Sequence, residues 1–470
     1  MVKVGIIGGG ISSLMAAYSL SKDPNVEIII FEQGKDITER ACPILTKKVE
    51  RCINCKNCDI MQGMAGAGAF SDGKYNITTE FGGWLQDIVG PELTTQYIEK
   101  ADSILVNFGA TIDRFQPNDK LKKLCLQNDL YMLQSQCKHL GTDANFQTMV
   151  NLINYLKECE NVTIMTETKV TYVELFDDAC FKGVEFVKSN GETGGITVHK
   201  VIFAVGRVGS GFFSSWCNFN KVIQFNNQVD VGVRVELPAL IWEDFEKKIY
   251  EPKVLYRTKQ YGDITRMFCF NGRGEVVTEN TSGVITVNGH AYKAEEKKTK
   301  NTNFALLSTT NFTQPFNQPI EYARDIASLA NKISGGSVIV QTLGDLERGR
   351  RTDESRLKKC RTIPTLKAAV AGDLSLCMPK RQLDNIIETL HALDKIAAGT
   401  ANYDTLLYGV ECKYYSARPD TDNRFEIKIN SMRTIKSGCY AIGDGAGFTR
   451  SLAQAAAQGL MVADNILKEI

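Results

Sequence analysis

The sequence predicts an α/β fold with a nucleotide-holding sheet and a second, sheet-rich domain, and three observations predict it. The chain opens on a short apolar run, Lys3-Val-Gly-Ile-Ile7, that passes directly into Gly8-Gly9-Gly10-Ile11-Ser12-Ser13. A helical pattern follows with Leu14, Ala17 and Tyr18 on one face, and a second apolar run from Glu27 to Phe31 ends at Glu32. From Ser210 to about Leu343 the pattern is mostly strand-like, and the C-terminal stretch returns to strand, Gly443-Asp444 and an alanine-rich helix.

Strand, glycine turn, helix, strand and acid form the Rossmann-like βαβ unit that holds a dinucleotide. Gly8 makes the tight turn, and Gly10 lets the backbone approach a pyrophosphate. The helix N-terminus at Ile11, Ser12 and Ser13 offers unpaired N–H groups and a partial positive charge to that anion. Ser13 replaces the third glycine of the fingerprint, which slightly loosens helix–strand packing. Glu32 sits where a carboxylate accepts hydrogen bonds from the adenosine ribose. A glycine turn alone is weak evidence; here the preceding strand, the following helix and the spaced acid agree. The apolar stretch Gly5–Leu20 does not read as a secretory signal. Only Lys3 precedes it, and a charged strand follows where a small-residue cleavage site belongs.

At 470 residues the chain exceeds one compact core, so two or more domains are expected. Apolar content of 43% with 23% charged residues suits a soluble globular protein. No apolar run approaches the ~18 residues that a membrane span needs, so no membrane partner is expected. A net charge of +1 removes the electrostatic reason to expect nucleic acid. Fourteen cysteines without an export signal argue for reduced thiols and a cytoplasmic location. Most are scattered singly and read as small buried apolar residues. Cys42, Cys52, Cys55 and Cys58 are the exception, lying within seventeen residues.

Taken in order, the segment after Glu32 carries those four cysteines and then Gly63-Met-Ala-Gly-Ala-Gly68-Ala-Phe-Ser-Asp-Gly-Lys74. So many small residues cannot supply a core, and they suit a backbone that passes close to something flat or bulky. Helical spacing predicts helices over Thr94–Phe108 and Asn145–Glu158. From Val162 the period changes to two, giving strands Val162–Thr166, Lys169–Glu174, Gly183–Lys188 and Ile196–Ala204. Turn residues at Asp177-Asp178 and Asn190–Gly195 separate them, so they read as an antiparallel meander returning to the nucleotide sheet. The last runs into Ala204-Val-Gly206, a small-residue turn of the kind that brings backbone up to a cofactor. Strands over Val229–Leu237, Ile264–Phe270, Glu275–Val287, Phe304–Thr309 and Ser337–Thr342 build the second domain. A loop-rich, partly basic stretch follows, then helices over Arg381–Ala398 and Leu452–Leu467.

Gly8-Gly9-Gly10 with Glu32, Ala204-Val-Gly206 and Gly443-Asp444 together resemble FAD-binding proteins of the glutathione-reductase-like superfamily. That resemblance implies that Asp444 holds the ribityl chain. It implies too that the helix after Gly447 aims its N-terminus at the flavin and that backbone near Val170 meets the adenine. At finer grain, Cys42-Pro43, Cys52-x-x-Cys55-x-x-Cys58, Gly66-Ala-Gly-Ala-Phe-Ser-Asp-Gly-Lys74, His139-Leu-Gly-Thr-Asp143, Val231-Gly-Val-Arg-Val-Glu236, Asn288-Gly289, Leu343-Gly-Asp345 and Gly443-Asp-Gly-Ala-Gly447 occur in that order. They resemble a family of FAD-dependent dehydrogenases with a cysteine-rich N-terminal segment. Arg207-Val-Gly-Ser210 departs from that family's His-Ser-Ala-Arg-like turn.

The resemblance implies FAD, bound through Gly8, Gly10, Ile11, Ser12, Ser13, Glu32, Gly68, Val170, Ala204, Gly206, Gly443, Asp444 and Gly447, and redox chemistry; it implies no substrate. The expected organisation is an FAD-binding domain in three parts (1–80 with the cysteine-rich loop, 141–210 and 401–470). A helical insertion (81–140) and a substrate or cap domain (211–400) interrupt it.

FAD carries hydride and electron chemistry, so the chain must bind it, orient it and admit electrons. No second strand–glycine turn–helix unit occurs, so nicotinamide has no domain of its own; NAD(P)H or a protein is the expected donor. Four thiolates spaced as Cys42, Cys52, Cys55 and Cys58 suit an iron–sulfur cluster, a zinc ion, a thiol–disulfide relay or no ligand at all. The compact two-residue gaps favour a [4Fe–4S] centre near the flavin, with zinc the alternative. Arg348, Arg350 and Arg351 read as a solvated basic loop, and His139 and His290 as structural. Arg418 and Arg450, either side of the Gly-Asp turn, are placed to offset negative charge on a reduced flavin. The sequence thus predicts a flavoprotein oxidoreductase acting on a small organic substrate, with no catalytic acid or base nominated. The rival readings are a flavin monooxygenase-like enzyme and a non-enzymatic redox sensor or electron-transfer protein.

Overall fold

The computed structural model describes the chain apart from residues 47, 50, 51, 54, 177–180, 282, 293 and 430–436. The turn expected at Asp177-Asp178 therefore lies outside the described residues. The chain forms two compact units, one of Met1–Asp113, Lys138–Asn227 and Tyr415–Ile470, the other of Arg114–Cys137 and Gln228–Tyr414.

The first unit contains, in chain order, β1 (Val2–Ile7), α1 (Ile11–Leu20), β2 (Val26–Phe31), α2 (Pro91–Asn107), α3 (Thr142–Glu158), β3 (Val162–Met165), β4 (Thr168–Leu175), β5 (Lys182–Lys188), β6 (Thr193–Val198) and β7 (Lys200–Phe203). Five parallel strands make its main sheet, in the order Cys439–Ala441, β7, β1, β2, β3. β1 and β2 are nearly continuous apolar runs, as strands of a sheet covered on both faces must be. β4, β5 and β6 form a separate antiparallel sheet.

Two expectations are corrected here. The strand read as the start of the meander, Val162–Thr166, instead pairs in parallel with β2, placing Met165 opposite Phe31. The strand read as Ile196–Ala204 breaks at His199, whose Nδ1 accepts the Lys3 N–H at 2.9 Å. Its first half closes the meander and its second half enters the parallel sheet. The helix Ser210–Phe219, absent from the sequence reading, follows the turn after β7.

The C-terminal helix Leu452–Leu467 begins where expected, with Ser451 accepting the Gln454 N–H as its N-cap. It is buried on most sides, as its alanine-rich sequence allows. A Cβ on Gly459 would sit 2.1 Å from the Ser12 carbonyl oxygen, so glycine permits the close crossing with α1. Asp464 ties three helices together by accepting from Ser19 on α1 and from Tyr97 and Lys100 on α2.

The second unit is built on an eight-stranded sheet in the order Val370–Ala371, Ile339–Thr342, Leu406–Lys413, Val229–Pro238, Asn301–Thr310, Ile264–Asn271, Lys253–Arg257, Leu130–Leu133. Leu130–Leu133 pairs with Lys253–Tyr256, so this stretch belongs to the sheet of the second unit and not to a helical insertion over 81–140. Likewise Leu406–Lys413 pairs with Val229–Pro238 and Ile339–Thr342, carrying the unit past the expected boundary at 400. The run read as one strand, Glu275–Val287, is a hairpin of Glu275–Thr281 and Val284–His290. Among the described residues no helix is long and apolar enough to cross a membrane.

Candidate functional site

The site begins where β1 ends. Gly8 has φ +104°, and a Cβ there would lie 2.4 Å from the Ala204 carbonyl oxygen. Only glycine lets the ends of β1 and β7 pass so closely. α1 starts at Ile11 with Gly10 as N-cap and no side-chain cap, which leaves its first-turn N–H groups to a ligand or water. A Cβ at Gly10 would meet nothing within 4 Å, so the backbone there borders open space.

Glu32, buried at the end of β2, is already engaged. Its Oε1 accepts from Gly34 N at 2.8 Å and Gly63 N at 2.9 Å, and its Oε2 accepts from Gly9 N at 2.7 Å. The carboxylate thus ties three backbone segments, while Oε2, with one donor, retains acceptor capacity for a ligand hydroxyl.

Gly8, Gly10, Ile11, Ser12, Glu32, Gly68, Ala204, Gly206 and Asp444 line one cavity that opens to solvent. Gln33, Met61, Gln62, Arg207, Arg450, Ser451 and Leu452 complete much of its wall. The other predicted site residues do not line it. Ser13 is buried in α1, and Val170 lies in β4 opposite Phe186. Gly443 donates its N–H to Gln458, and Gly447 turns against the Ser416 carbonyl.

At the Asp444 end, burial pushes the carboxyl above its usual range. The Thr449 hydroxyl, donating at 2.7 Å, and the charges of Arg207 and Arg450 pull it back. Arg450 stacks on Trp84 at 3.9 Å and on Tyr415, and Arg418 lies 5.4 Å from the Trp84 ring. Arg350, by contrast, is bound to its own unit through Asp345 at 2.6 Å and Tyr403 at 2.7 Å, so it is not simply solvated.

The small-residue segment does supply core, contrary to expectation: Met64, Ala65 and Ala69 are buried. Small side chains are needed because this loop lies against the glycine turn itself, with Ala65 N donating to Gly9 O at 2.8 Å. Two polar residues that support the loop escaped the sequence reading, Arg40 and Asn145. Neither carries a motif signal, because the contacts that hold the loop go to backbone carbonyls.

Cys42, Cys52 and Cys58 are half-buried and Cys55 is exposed. Among the described residues no group of three or more His, Cys, Asp or Glu is placed to hold a metal. Cys42 O accepts from Thr46, Cys58 O accepts from Met61 and Gln62, and Cys55 lines a small separate cavity with Lys35, Pro43 and Glu167. The excursion is closed at its root, where Ala41 N and Arg40 Nε both donate to Asp59.

Residues 228–414 match the family described as FAD-dependent protein, C-terminal domain-like, and residues 6–42 match the NAD(P)-binding Rossmann-like domain. The class so defined is an α/β chain with a Rossmann-like unit and a sheet-rich second unit. An uncharacterized protein of Clostridium beijerinckii is 24% identical over 492 residues, covering 99% of this chain and 80% of its own. Among solved structures, the E. coli quinol fumarate reductase FrdA aligns at a TM-score of 0.46 and 13% identity, over 100% of this chain and 71% of that one. L-proline dehydrogenase from P. horikoshii aligns at 0.43 and 11%, over 100% and 94%.

Proposed function

We propose that the protein is an FAD-dependent oxidoreductase acting on a small organic molecule. The observation that carries this reading is one cavity, within one unit, lined at once by the glycine turn with Glu32 and by Ala204–Val208 with Asp444. A ligand filling it meets an uncapped helix N-terminus and two carboxylates. FAD has a pyrophosphate, a ribose and a ribityl chain for these three, whereas FMN has no adenosine to reach Glu32.

The residues present fit that group. Gly10 and the first-turn N–H groups of α1 would receive the pyrophosphate. Glu32 Oε2 would accept from the ribose, and Asp444 from the ribityl hydroxyls. When bound, FAD supplies hydride and electron transfer. The Gly66–Gly68 backbone walls the cavity against water, and Arg207 and Arg450 hold positive charge beside Asp444. The protein should be denatured after purification or after loading with flavin, and the released chromophore separated by chromatography. FAD is the expected product; recovery of FMN alone, or of no flavin, overturns the reading.

A further inference from the structure

Two buried side chains grip the Gly66–Gly68 wall from outside the cavity. Asn145, fully buried in the first turn of α3, donates from Nδ2 to the Gly68 carbonyl at 2.7 Å. Longer contacts of 3.4 Å reach the Ser71 carbonyl and hydroxyl, and Asn145 Oδ1 accepts from the buried Tyr75 hydroxyl at 3.0 Å. Both ends of the amide are committed, so its orientation is set. Arg40, also buried, gives Nε to Asp59 O at 2.8 Å, Nη2 to Ile60 O at 2.9 Å, and Nη1 to Met64 O at 2.7 Å and Gly66 O at 2.8 Å. Its guanidinium stands 4.7 Å from the Phe70 ring. Neither side chain lines the cavity.

We propose that Asn145 and Arg40 are positioning residues for the cofactor, fixing where the Gly66–Gly68 wall stands; this rests on the FAD reading above. The wall is backbone, so its position cannot be set by its own small side chains. It is set by the donors that hold its carbonyls. A planar fork with donors in several directions suits four carbonyls in one turn of chain, and a lysine ammonium cannot replace it. Asn145 acts at the next carbonyl but one, so the two together define the wall's path.

Asn145→Asp separates positioning from packing. It keeps the shape and an acceptor for Tyr75, but turns a carboxylate oxygen toward the Gly68 carbonyl. Tyr75→Phe removes the other half of the same network and leaves the Gly68 bond intact. The full chain, stripped of flavin, would be titrated with FAD by flavin fluorescence, and each apo variant melted in parallel. Asn145→Asp should weaken FAD by about ten- to a hundredfold. Tyr75→Phe should stay within about threefold even where its apo melting temperature falls as far. Arg40→Lys should lose affinity as Arg40→Ala does, which keeps the test standing if Asn145→Asp does not fold. FAD affinity unchanged in Asn145→Asp and Arg40→Ala overturns the proposal, and so does affinity that simply follows apo stability across all variants. A wild-type chain that takes no FAD overturns the cofactor reading itself and this inference with it.

Discussion

At Asp444 the chemistry of one residue is set by opposing neighbours. Burial disfavours its charge, while the Thr449 hydroxyl and two arginines favour it. Asp444→Ala should weaken FAD retention about ten- to a hundredfold, the loss of a hydrogen bond to a charged acceptor worth ~1.5–3 kcal/mol. Equilibrium dialysis of the variant against FAD measures it. In the second unit, Glu236 is fully buried and accepts from Asn301 at 3.0 Å, Thr365 at 2.6 Å and Tyr408. Burial is the largest influence and raises its pKa. The folded state therefore keeps this proton to a higher pH than the unfolded chain. The stability it contributes is fully present at or below the ordinary carboxylate range and declines as pH rises through the raised value. Glu236→Gln removes that decline. Its melting temperature should gain on the wild type as pH increases from about 4, and parallel melting curves across pH would refute the assignment.

Among the elements, the short 3-10 turn Gly66–Phe70 is open to test by a single substitution. A Cβ on Gly68 would lie 2.8 Å from Leu452 Cδ2, the tip of a flexible side chain that also lines the cavity. Gly68→Val should displace Leu452 or fill the cavity, lowering flavin occupancy several-fold while the apo melting temperature changes little. Absorbance ratios of purified variant and wild type report the occupancy; full occupancy would mean that the turn only connects. The C-terminal helix was legible to the residue, since Ser451 caps it and its alanines tolerate burial on most sides. The break at His199 was not legible, because His199 is bonded there to Lys3 and Lys182, both distant in sequence.

At the scale of the whole molecule, each unit is organised by a buried polar centre as well as by apolar packing. In the second unit Arg234 is fully buried, and all five of its N–H groups have acceptors. Glu411 takes two, at 2.8 and 2.7 Å, and the Cys269 carbonyl, Asn303 and Asn288 take the rest. No donor is left for a ligand, so this motif residue holds the unit together. Glu411→Ala should destabilise the chain by about 3–5 kcal/mol, because it strands a buried guanidinium. Urea unfolding followed by far-UV circular dichroism measures this, and a loss below about 1 kcal/mol would contradict it.

The sequence by itself determined what short-range physics controls. Gly8 and Gly10 mark the turn, apolar runs mark β1 and β2, and Glu32 stands where its spacing from the glycine turn places it. Nine of the proposed cofactor residues line one cavity, brought together from distant parts of the chain by the fold. Only the tertiary structure decided which strands pair, since Val162–Met165 and Leu130–Leu133 are as compatible with one sheet as another until their partners are known. It also brought Arg40 and Asn145 to backbone carbonyls that carry no side-chain signal, and such contacts between distant segments leave no trace in the sequence.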